Sequence, residues 1–358
     1  MTVMNDKNML VEMLRDVQQA SSLTMHQWDL LLRQARESGL LSRLSYQFQQ
    51  NHYEHVPEQL MWHFESAITY AERQRQVVEW EVRCISEAMA SLDVPIVLLK
   101  GAAYVMAVLP SARGRIFSDI DLLVPKQQIN AVEKSLFGAG WVTTHLNAYD
   151  QRYYRQWMHE IPPMQHHQRR SVLDVHHNIL PVTARANPDA SLLLSEIKRI
   201  DENKNLYVLS PCDMIIHSAT HLFFDGEFEH GLRDLLDMHD LITYFAGEVG
   251  FWQQLVERAE ALTLLRPLYY ALMHVQRLYH TEIPANVFIM LGKGKPRALT
   301  GLFMNRMFEL ALRPPHSSCR NIATASADAF LYTRAHFLRM PLHLLIPHLT
   351  RKAFRPDD

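Results

Sequence analysis

Three cysteines in 358 residues, Cys84, Cys212 and Cys319, are too few and too widely spaced for a disulfide framework, and their odd number fits a reducing compartment. Charge of neither sign is in surplus. Lys and Arg number 36 against 38 Asp and Glu, which removes the bulk electrostatic case for binding long or duplex nucleic acid and leaves only a local patch. No apolar run is long enough to span a membrane. The opening MTVMNDKNMLVEML carries Asp6 and Glu12 and lacks the apolar core of a signal peptide, so a cytoplasmic protein is expected. Near the other end, residues 337–354 are apolar and then basic. Pro341 and Pro347 are expected to cut this stretch into pieces too short for an amphipathic surface helix, leaving a packed terminal segment. Twenty histidines are scattered along the chain, and most receive no role.

What the chain does hold is apolar residues, at 48%, enough to fill the cores of two or three domains. Thr24-Met25-His26-Gln27 reads as a capping box opening a helix over 24–48, followed by Trp28, Leu31, Leu32, Ala35 and Leu40. A second helical stretch, 58–92, repeats Ala67, Tyr70, Val77, Trp80, Ile85 and Ala88 at helical spacing. The character then changes. Pro95–Leu99 reads as a strand ending in Lys100-Gly101, followed by a helix to Pro110, a strand over 119–124, a helix over 127–137 and a strand over 141–145. Two more strands are expected within 152–178, the second being Ser171–His177. Helical periodicity returns near 212–223, 231–246, 251–262, 265–280 and 297–311. The expected fold is therefore α+β. A small mixed-sheet core over 93–210 is flanked by helical parts over 1–92 and 211–358.

The chemistry concentrates in the middle unit. In RIFSDIDLLVP, Asp119 and Asp121 stand two apart in an apolar stretch, so a strand would place both carboxylates on one face, where they call for a cation such as Mg²⁺. Neutralising one of two such crowded acids, as in Asp121→Asn, would leave the fold intact or steadier. Asp174 lies in another apolar strand with His176 on its face, and a third acid on a neighbouring strand suits a two-metal phosphoryl-transfer site. Lys100-Gly101 is a strand-to-helix turn open to an anion, and Arg115, with Arg113 near it, can hold a carboxylate or a phosphate. Each feature has a plainer reading, as a turn, a cap or a structural histidine.

Together LLKGAAYVMAVLP, RIFSDIDLLVP and LDVHHNI resemble a bacterial family of uncharacterised nucleotidyltransferases, a branch of the DNA polymerase β-like nucleotidyltransferase superfamily. The resemblance extends to the Trp28–Leu44 helix and to Leu209–Asp237. It implies an enzyme that moves an NMP from an NTP to a hydroxyl-bearing acceptor and releases pyrophosphate, using Mg²⁺ or Mn²⁺ held by Asp119, Asp121 and Asp174. It further implies nucleotide contacts at Lys100, Gly101, Arg115 and His176. One departure stands out: many superfamily members have Gly-Ser at the first turn, where this chain has Gly101-Ala102 and so lacks one phosphate contact. The acceptor, whether small molecule, protein or RNA end, is left open. His217, His221, Arg233 and Asp237 are the expected wall of its cleft. Two alternatives stand beside this reading: a non-catalytic nucleotide-binding or regulatory protein, and a metal phosphohydrolase built from His217, His221, His230 and Asp234.

Overall fold

The computed structural model describes residues 6–145, 147–201, 205–226 and 228–354, so the first five residues of the N-terminal stretch lie outside it. At its centre is a seven-stranded mixed sheet: β1 (Ile96–Leu98), β2 (Ile120–Leu123), β3 (Trp141–Thr143), β4 (Met164–His166), β5 (Val172–His176), β6 (Lys198–Asp201) and β7 (Leu206–Val208). Their spatial order is β3-β4-β5-β2-β1-β7-β6. β1 runs antiparallel to β2 and parallel to β7, while β2 runs parallel to β5. Every residue of β1 and β2 is buried, which accounts for their continuous apolar character on both faces. Helices pack around this sheet, and the fold is α+β as expected. The edge strand β6 and its neighbour β7 were not legible in the sequence.

The helices depart from the expectations in instructive ways. The capping box forms, Gln27 N donating to Thr24 Oγ1 and Thr24 N to Gln27 Oε1, at 3.3 and 3.0 Å. The helix it opens nevertheless ends at Glu37, and a second runs Leu41–Gln50. Gly39 makes the break by taking φ +66°, after which Leu40 N closes back on Ala35 O. Met61–Ala88 is one long helix, but Tyr70, Val77 and Trp80 are exposed and its buried face carries Phe64, Ala71, Val78, Val82 and Ile85. Ala148–Trp157 is helical, ahead of the two strands expected in that region. The C-terminal segment corrects the sequence reading most. Ile322–Arg339 is a helix that stops before Pro341, and Leu342–Phe354 continues helical through Pro347. A single proline removes one backbone hydrogen bond, and its exposed position lets the helix carry that loss. Among the described residues no helix is long and apolar enough to cross a membrane.

The loop that delivers β2 is fastened from the N-terminal helices. Arg43 Nη1 donates to the carbonyls of Ser111 and Arg113, both at 2.9 Å, and its other arm pairs with Asp240. Gly114 sits at φ +65° with room for no side chain, since a Cβ there would lie 2.7 Å from the Ser42 carbonyl oxygen. Gly114→Ala is therefore expected to cost about 2 kcal/mol or more, from the left-handed backbone plus the clash. Urea unfolding measures this. An unchanged midpoint would mean the loop is not pinned there.

Candidate functional site

The parallel pairing of β2 with β5 sets Asp121 opposite Asp174 in register, so both carboxyls project from the same face of the sheet. Asp119 behaves differently from the expectation. β2 begins at Ile120, and Asp119 sits in the exposed loop just before it, where its Oδ1 accepts from Ser118 Oγ at 2.8 Å. The carboxyl crowded against Asp121 is thus Asp174, across the sheet.

Asp121 is buried among polar partners. Lys100 Nζ lies 3.8 Å from its Oδ2, and His176 Nε2 lies 3.1 Å from its Oδ1. Burial alone would raise its pKa, but the Lys100 charge and the His176 hydrogen bond outweigh burial and hold the carboxyl far below the usual range. The opposite happens to Asp174. Burial, reinforced by the negative charge on Asp121, pushes it up to about 8, and its Oδ1 has no hydrogen-bond partner among the described residues. His176 answers both acids. Although burial opposes its charge, the Asp121 hydrogen bond and the Glu160 carboxylate 3.4 Å from its Nδ1 raise its pKa. Without a cation, then, the floor holds one ionised and one protonated carboxyl.

Mutual repulsion and an orphaned carboxyl oxygen are what Mg²⁺ or Mn²⁺ would relieve at Asp121 and Asp174, but among the described residues the oxygens of Asp119, Asp121 and Asp174 do not gather into a three-ligand group.

Lys100 joins this site through an unusual backbone, with φ +44° at a non-glycine residue. Gly101 after it makes room for Arg115. A Cβ at Gly101 would lie 2.3 Å from Arg115 Nη1 and 2.8 Å from the Phe117 ring. Arg115 is itself buried. Its Nε donates to Asp237 Oδ2 at 2.7 Å, Asp234 lies 3.9 Å from its Nη2, and the rings of Tyr104 and Phe117 flank it.

A cleft of about 690 Å³ opens over these residues. Lys100, Gly101, Arg115, Asp119 and Asp121 line its sheet side, whereas Asp174 and His176 do not line it. His221 and Arg233 also line it. His217 and Asp237 do not. Both are buried: Asp237 is the partner of Arg115, and burial together with Lys100 keeps His217 neutral. The phosphohydrolase set fails to gather, because Arg233 and Arg115 engage Asp234 and no metal-binding cluster contains His217, His221 or His230 among the described residues.

The sequence reading missed two further walls. One comes from the helix Ala148–Trp157 and the turn after it, through Tyr153, Tyr154 and Glu160. The other comes from the C-terminal helices, through Tyr332, His336 and Arg339. The only sequence signal for Glu160 was the polar pair His159-Glu160 set before Ile161-Pro162-Pro163.

None of the curated proteins is similar enough to the chain to stand as a relative. A family model described as an uncharacterised nucleotidyltransferase matches residues 24–280, well over half of the chain and all of the sheet with its three carboxylates. The chain belongs to this uncharacterised nucleotidyltransferase family.

Proposed function

We propose that the protein transfers a nucleoside monophosphate from an NTP to the hydroxyl of a small polar acceptor, releasing pyrophosphate. The observation that carries this reading is the in-register pairing of Asp121 with Asp174 beneath a cleft edged by Lys100 and Arg115. The superfamily to which such carboxylate sets belong supplies the chemistry.

A divalent ion held by Asp119 and Asp121 would neutralise triphosphate charge and polarise the α-phosphate. Lys100, whose Nζ lies 3.8 Å from Asp121 Oδ2 and which lines the cleft, would meet a phosphate oxygen. Arg115, fixed by Asp237, offers its remaining N–H groups on the cleft side as a rigid support. The acceptor oxygen attacks the α-phosphorus, the bond to the bridging oxygen of the β-phosphate breaks, and the hydroxyl proton passes to Asp174 in the floor, once an ion on the carboxylates has displaced the proton that acid holds in the metal-free protein. His176 keeps Asp121 oriented and ionised. A volume of about 690 Å³ suits a nucleotide with a small partner and is too small for a duplex. The near-neutral net charge of the chain points the same way.

The test is a screen of the four NTPs, each labelled at the α- or the γ-phosphate, with Mg²⁺ or Mn²⁺ against metabolite, protein and RNA pools. Transfer of α-label by the wild type, lost in Asp119→Asn, is the expected result. Transfer of γ-label would make the protein a kinase. Nucleotide binding without any transfer would make it a regulatory protein on the same fold.

A further inference from the structure

Beside the three carboxylates lies a second group of donors, of which nucleotidyl transfer uses only His176, as the partner of Asp121. His159, Glu160 and His176 each offer one ligand atom, and these atoms lie within 4.8 Å of one another. We propose that the three residues form a separate centre for a borderline divalent ion of the Zn²⁺ class, with two imidazole nitrogens, one carboxylate oxygen and a further position open toward the cleft.

Several features support a built site. The His176 Nδ1 to Glu160 Oε2 separation of 3.4 Å already matches a tetrahedral edge, about 3.4 Å for metal–ligand bonds of about 2.1 Å. The tilted rings of His159 and His176 have centroids 5.1 Å apart, which keeps the two imidazoles side by side. His159 Nδ1 is buried and has no hydrogen-bond partner among the described residues, an expense that a ligand at this spot would remove. The backbone holds the donors in place. Glu160 bridges His176 in antiparallel fashion, His177 N donates to the His159 carbonyl at 2.7 Å, and Ile161 N donates to Val175 O at 3.1 Å. The outer contact is also present. His176 Nε2–H donating to Asp121 leaves Nδ1 as the ligating atom, the carboxylate–histidine–metal relay that fixes tautomer and ring orientation. Glu160 lines the cleft, so an oxygen of a bound molecule can reach the open position. Nitrogen donors separate this centre from the oxygen-only carboxylate set, which favours Mg²⁺.

Cu²⁺ serves as the probe, because bound imidazole splits its paramagnetic resonance signal through ¹⁴N and carboxylate oxygen does not. Untagged, metal-free full-length protein is saturated with Mg²⁺ and given one equivalent of Cu²⁺. The wild type and Asp119→Asn are expected to show the splitting of two imidazole nitrogens. His159→Ala should show at most one nitrogen, and Glu160→Gln should keep two nitrogens but bind at least about tenfold more weakly. An oxygen-only wild-type spectrum, or one unchanged in His159→Ala, overturns the proposal. Should His159→Ala fail to fold, Glu160→Gln decides, and unaltered affinity there overturns it as well.

Discussion

Asp174→Asn and Asp121→Asn are each expected to lower nucleotide transfer on the order of 10³-fold or more, yet to move stability in opposite directions. Asp121 is ionised and satisfied by Lys100 and His176, so its neutralisation weakens both contacts and costs about 1–3 kcal/mol. Asp174 carries the strain of the pair. Its folded-state pKa, near 8, lies above the ordinary 3.8, so the folded protein holds a proton that the unfolded chain releases. That contribution is fully present below about pH 4 and fades as pH rises through 8, by up to a few kcal/mol in the metal-free protein. Asn at 174 cannot ionise. Denaturant unfolding of the metal-free protein at pH 5 and pH 8 should show a wild-type loss of stability that the Asp174→Asn variant lacks. Equal slopes for the two would mean that Asp174 does not titrate in this window. The crowding expected from Asp119 and Asp121 therefore exists, but between Asp121 and Asp174, and it is Asp174→Asn that steadies the fold.

Arg115→Met should be the most damaging single change outside the carboxylates. Asp237 is buried, and burial outweighs the neighbouring arginine charges to push its carboxyl upward even with Arg115 in place. Removing the guanidinium leaves Asp237 without its 2.7 Å donor and Asp234 without one of its two arginines, at an expected cost of about 3–5 kcal/mol. The double variant Arg115→Met, Asp237→Leu removes the stranded charge and should recover more than half of that loss. If the double variant is as unstable as the sum of its parts, the pair is not the coupling that holds the loop 110–118 against the helix Gly231–Phe245.

The carboxylates were legible because local chemistry announces them: an acid in an apolar strand is costly and needs a partner, whatever the fold. Their mutual placement was not. That Asp121 faces Asp174 depends on a parallel pairing across more than 50 residues, and that Asp119 stops short of the strand depends on where the ladder begins. The α+β class followed from the change of periodicity at residue 93, whereas β6 and β7 are short, and β6 is an exposed edge with little apolar signal. On the helix Met61–Ala88, spacing alone mixed two faces, since Ile85 is buried but large aromatics such as Trp80 stay exposed while smaller Val78 and Val82 are buried. Arg233 and Asp237 share one helix, yet only packing decides that Arg233 reaches the cleft and Asp237 turns to Arg115. The wall made by Tyr332, His336 and Arg339 was hidden for the same reason. These residues mean nothing for the site until the C-terminal helix folds back over it, and a rule that treats every proline as a break discouraged that reading.

The most direct measurement is a crystal structure with Mn²⁺ and a non-hydrolysable NTP, read by anomalous scattering from the manganese. A peak at about 2.2 Å from carboxylate oxygens of Asp119 and Asp121, with the triphosphate near Lys100 and Arg115, is the expected result. Nucleotide bound elsewhere, for instance in the 650 Å³ pocket beside Pro211 and Arg258, or bound in the cleft with no manganese on Asp121, would contradict it.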